Sequence, residues 1–109
     1  MSNTPPKYLY KILSLENWTK SQSAQFVVLS QDDTAFIHLA TEEQLKGIAD
    51  KYWSHAPDYV ILKIEATKLP GELVFEANKP GGNKYYHLYK GSIPLESVTN
   101  ITLVRSTNK

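Results

Sequence analysis

Thr41 and Gln44 stand three residues apart, directly ahead of apolar residues at Leu45, Ile48, Ala49, Tyr52 and Trp53. That pair has the spacing of a capping box, in which the two residues satisfy each other's backbone N–H groups where a helix begins. The apolar positions recur at i, i+3, i+4, i+7 and i+8, which is one stripe along a 3.6-residue helix. A helix over residues 42–53 with Thr41 at its N-cap follows. Its single apolar stripe has to be covered, and the rest of the chain offers short β-rich runs to cover it, so the class is α+β.

Those runs are read from alternation and from the turn residues that bound them. Residues 7–13 place Tyr8, Tyr10 and Ile12 on one face and Leu9, Lys11 and Leu13 on the other, the pattern of a strand covered on both sides. Ser14 stands where a hydroxyl accepts an unpaired N–H at the start of a short helix that turns Leu15 and Trp18 inward. Residues 26–29 read as a strand, 30–34 as a polar turn and 36–39 as a further strand. Pro57 closes the long helix, and residues 59–65 form a strand with Val60, Leu62 and Ile64 on one face. Residues 73–77 and 85–89 are strands on either side of a flexible loop at 78–83. Residues 95–98 make a helical turn, and 101–104 make the last strand. The sum is six or more strands and two helices in one domain, residues 1–109, with 1–6 as a flexible N-terminus.

Composition removes several function classes. The chain has no cysteine, which excludes disulfides, thiolate metal sites and a cysteine nucleophile. Its net charge of +1 is dispersed along the chain, so no extended nucleic-acid surface is expected. No apolar run reaches the roughly 18 residues of a membrane span, and the N-terminus lacks a secretory signal, so a cytoplasmic location is expected. The histidines are too scattered in sequence for a metal site, and no GxSxG elbow marks a serine nucleophile.

Proton-transfer chemistry is confined to a few positions. Alternation puts Phe36, His38 and Ala40 on one face of their strand, away from Ile37 and Leu39, and groups Tyr85, His87 and Tyr89 on one face of a later strand. An imidazole in such a place either works on a ligand or ties strands together as a hydrogen-bonded core group. Glu76 lies mid-strand, where a carboxylate faces solvent or is buried with a partner. His55 sits in a loop and is expected at the surface. The segment Pro80-Gly81-Gly82-Asn83-Lys84 matches no phosphate-binding motif and reads as a hairpin turn.

Taken in order, Tyr8-Leu9-Tyr10-Lys11-Ile12, Trp18, Phe36-Ile37-His38-Leu39-Ala40-Thr41 with Gln44, Glu76 and His87-Leu88-Tyr89 resemble the DUF952 family of small bacterial proteins, over almost the whole chain. The family has no established activity. The resemblance implies an ADP-ribosyltransferase-like fold: a curved, split, mixed or antiparallel sheet with two short helices, around a cleft for a nicotinamide dinucleotide. The run 36–41 also resembles the histidine strand of RNA 2'-phosphotransferases. That likeness gives His38 the role of holding the dinucleotide and Glu76 that of the carboxylate stabilising a ribosyl cation. Ala35, Ala40 and Tyr86 depart from the family's usual glycine, serine and proline. Arg105 is the single arginine, so the arginines by which the phosphotransferases grip RNA are missing.

Two kinds of function remain. One is a nucleotide-binding domain, with NAD as the cofactor implied. Tyr10, Trp18, His38, Thr41, His87 and Tyr89 hold the ligand, and Glu76 with His38 serves any ADP-ribosyl or phosphoryl transfer. The other is a noncatalytic module that binds a protein or metabolite, its histidines purely structural. Whether the chain is an enzyme stays open at this point, as does its oligomeric state.

Overall fold

The computed structural model describes residues 5–77 and 79–105. Most of the expected flexible N-terminus, and Asn78 of the expected loop, lie outside them. β1 (Tyr8–Ser14) pairs antiparallel with β3 (Tyr59–Glu65), and β3 pairs antiparallel with β6 (Val98–Val104). A second sheet is ordered β2 (Ile37–Leu39), β5 (Lys84–Tyr89), β4 (Glu72–Ala77), again with antiparallel pairs. The sheets adjoin at one point, where Tyr10 and Ala40 exchange backbone hydrogen bonds of 2.8 and 2.9 Å. The described residues are therefore α+β, with two three-stranded sheets and two α-helices among them, and parallel pairing has no part in the named strands.

Side-chain alternation decides which face of each strand is covered. Leu9 and Leu13 of β1, Val60, Leu62 and Ile64 of β3, Ile37 and Leu39 of β2 and Leu88 of β5 join Val27 and Ile93 in one buried core. Lys11, in phase with Leu9 and Leu13, is buried with them. Burying each aliphatic side chain contributes roughly 1.5–3 kcal/mol, and β1 and β3 together supply five of these core residues.

α1 (Leu15–Ser21) starts as expected, the Ser14 hydroxyl accepting from the Asn17 N–H at 3.1 Å. Its inward face differs from expectation. Trp18 packs against the core, but Leu15 is exposed, and the fully buried residue is Ser21. The Ser21 hydroxyl donates to the Asn17 carbonyl at 2.7 Å and accepts the Val28 N–H at 2.8 Å, so it pins the following segment. That segment, residues 26–29, is not the expected strand. Val27 donates to the Ile93 carbonyl at 2.8 Å and Phe26 makes one bridge with Pro94, a proline having no N–H with which to extend a ladder.

α2 (Glu42–Tyr52) begins at Thr41, and Gln44 Oε1 accepts the Thr41 N–H at 3.0 Å while Gln44 Nε2 donates to the Lys84 carbonyl at 2.9 Å. None of its residues is buried. Leu45, Ile48 and Ala49 are half-covered, and Tyr52 is 66% exposed. The helix rests against β1 without closing on it, which leaves a cleft. At the other end of the second sheet, the chain entering β4 crosses the chain leaving β5. A Cβ at Gly91 would stand 2.1 Å from the Pro70 carbonyl oxygen, so only glycine fits. The 79–82 turn of the β4–β5 hairpin closes by a 3.0 Å bond from Gly82 N–H to the Lys79 carbonyl, with Gly81 at φ 78°. Among the described residues no helix is long and apolar enough to cross a membrane.

Candidate functional site

The pairing of β2 with β5 sets His38 directly opposite His87. Because side chains alternate, Ile37, Leu39 and Leu88 enter the core and the two imidazoles share the other face. Their ring centroids lie 5.3 Å apart, edge to face. Phe36, two residues before His38 and on its side, stacks on His87 at 4.1 Å and sits 4.9 Å from His38 and 5.1 Å from Tyr89.

Each histidine is held by its own carboxylate. Asp33, in the 3-10 turn Gln31–Asp33 before β2, places Oδ1 3.0 Å from both the backbone N and the ring Nδ1 of His38. The Lys11 ammonium lies 2.9 Å from Asp33 Oδ2 and 3.0 Å from Oδ1, and donates to the His38 carbonyl at 3.0 Å. The Asp33 side chain is 2% exposed. Burial by itself would raise its pKa, but the Lys11 charge and the bonds from His38 and Lys11 outweigh burial and hold the carboxyl below its usual value.

On the other side, Glu76 of β4 reaches diagonally to β5, where Oε2 meets His87 Nδ1 at 2.8 Å and accepts the Tyr89 hydroxyl. The Tyr89 bond first, and His87 second, hold Glu76 below the ordinary carboxylate range, and the same bond raises Tyr89. An ionised carboxylate only accepts hydrogen bonds, so Nδ1 of each imidazole donates to its carboxylate and Nε2 is the ring nitrogen turned away from it. The two rings differ in access. The His38 side chain is 39% exposed, whereas that of His87 is 1% exposed and its Nε2 has no hydrogen-bond partner.

An open cavity of about 870 Å³ lies between β1, β2 and α2, walled by Tyr10, Phe36, His38, Tyr52, Trp53 and Tyr85 among others. Tyr10 is raised in pKa, chiefly by burial and then by the nearby carboxylates of Glu42 and Glu43. Of the residues assigned to a cleft from sequence, Tyr10 and His38 line this cavity. His87, Glu76 and Tyr89 form a cluster behind Phe36, adjoining the cavity without lining it. Trp18 is elsewhere, turned to the core by α1, and Thr41 is engaged at the start of α2. Asp33 and Lys11 escaped the sequence reading. The signal was a lysine in phase with Leu9 and Leu13, which demanded a buried counter-charge. Among the described residues no group of three or more His, Asp or Glu side chains is placed to hold a metal ion.

The family model for DUF952, a protein of unknown function, matches residues 12–101. No curated protein matches the sequence. The crystal structure of protein CC0527 from Caulobacter crescentus is 32% identical with a TM-score of 0.76, the alignment covering 88% of this chain and 84% of that one. The crystal structure of a double mutant of CC0527 is 31% identical over the same shares, also at 0.76. Its solution NMR structure is 32% identical at a TM-score of 0.74, covering 89% and 84%.

Proposed function

Since the chain belongs to the DUF952 family, whose function is unknown, we propose from the site itself that it binds a nucleotide, NAD being the leading case, in the cleft beside α2. One observation carries the reading: an open cavity of about 870 Å³ with five aromatic rings in its wall and the imidazole of His38, fixed by Asp33, opening into it. Aromatic faces stack on a planar base or a pyridinium ring, and a fixed imidazole accepts from a ribose hydroxyl. The split antiparallel arrangement fits the ADP-ribosyltransferase-like fold that the family resemblance implies. Binding is better supported than group transfer, because Glu76, the residue suited to stabilising a ribosyl cation, is bonded to Tyr89 and His87 behind Phe36.

Titration calorimetry with NAD, ADP-ribose and mononucleotides tests this. The expected result is saturable binding that weakens in His38→Ala and changes little with salt, since the cavity wall holds its charges as the Lys11–Asp33 pair. Equal affinities in wild type and His38→Ala count against the site. A second reading, a noncatalytic module with structural histidines, is favoured by His87 alone: buried and bonded to Glu76, it ties β5 to β4.

A further inference from the structure

The nucleotide reading leaves one buried group unused. His87 Nε2 is fully covered and has no hydrogen-bond partner, although unpaired buried acceptors are rare and costly. The ring's other nitrogen is committed to Glu76 on β4. The two nitrogens of an imidazole point apart, so Nε2 faces away from Glu76. Phe36 stacks on this ring and also lines the cavity, which makes it the wall between His87 and the open cleft. Phe36 lies in a bend just before β2, outside the ladder that fixes Ile37, His38 and Leu39.

We propose that His87 Nε2 is an acceptor subsite for a small neutral N–H donor of primary-amide type, reached from the cavity when the Phe36 ring turns aside. Polarity sets the class of group. In the tautomer whose single ring proton sits on Nδ1 and is donated to Glu76, Nε2 is bare and accepts, so the group that fits it is a donor. A cation would lose its hydration in a site buried to this degree, and a carboxylate would bring only acceptors against an acceptor, with Glu76 close by. A planar amide offers its N–H to Nε2 from the edge of the His87 ring, in the plane of that ring, once the Phe36 ring no longer covers the approach. The subsite deepens the proposed nucleotide cleft, and it rests on that reading only for the route by which a ligand arrives.

The experiment uses the intact 15N-labelled protein and reads the histidine ring nitrogens by two-bond 1H–15N correlation. Acetamide is titrated against acetone, which has the same shape and no N–H. The free protein is expected to show His87 protonated at Nδ1 and bare at Nε2. Acetamide should then move the Nε2 resonance saturably, more readily in Phe36→Ala than in wild type, while acetone leaves it in place. Phe36→Leu, which keeps an apolar cover without a ring, replaces Phe36→Ala if the latter does not fold. A proton on Nε2 in the free protein, an equal response to acetamide and acetone, or no response to acetamide in wild type and variant alike overturns the proposal. A failure of NAD to bind would sink the nucleotide reading and leave this result standing.

Discussion

At the scale of single residues, the buried pair Lys11–Asp33 does most to hold His38 in place. Asp33→Asn leaves the Lys11 ammonium in a nearly dry setting without its carboxylate, and is expected to cost about 3 kcal/mol in urea unfolding. Lys11→Met combined with Asp33→Asn should recover part of that loss, since removing both charges is milder than removing one. The same carboxylates set the response to acid. Asp33 and Glu76 both bind a proton less tightly folded than unfolded, so the stability they contribute is complete above the ordinary carboxylate range and drains away as pH falls through their lowered folded values. Urea midpoints followed from about pH 6 down to pH 2 should fall with acid, and less steeply in Asp33→Asn. Sequence made His38 and His87 legible because alternation alone sets them apart from Ile37, Leu39 and Leu88. It left Asp33 hidden because Asp33 and Lys11 are 22 residues apart, and no local period connects them.

At the scale of elements, the strongest patterns gave the best boundaries: β3 falls on residues 59–65 as read, and α2 ends one residue earlier than its apolar stripe. Residues 26–29 show where such reading stops. β-branched content permits a strand there, but a ladder needs a partner with free N–H and C=O groups, and the partner is Pro94. In α2 the side chain to test is Gln44, which links the helix start to Lys84 of β5. Gln44→Ala should destabilise by about 1 kcal/mol and Thr41→Ala by no more, as thermal or urea unfolding will show. Gly91→Ala should be far worse, about 2–4 kcal/mol, because backbone rather than a movable side chain occupies the space its methyl needs. If Gly91→Ala unfolds with a near-native midpoint, the close crossing with Pro70 is wrong.

For the molecule as a whole, the uneven burial of its layers predicts uneven opening. α2 has no buried residue, while Val60, Leu62 and Ile64 of β3 are almost wholly enclosed. Native-state hydrogen exchange should therefore release the α2 amides through local opening, whereas β3 amides wait for global unfolding. Equal protection in the two would contradict this layering. The order in which the strands are made bears on a different matter. β2, β4 and β5 all lie between β1 and β6 in the chain, so the second sheet is nested inside the first. A ribosome extending the polypeptide at about 5–20 residues/s has made β3 seconds before β6 emerges. Throughout that interval one edge of β3 is left unpaired, an open template for wrong pairing until Val98–Val104 arrives to close it.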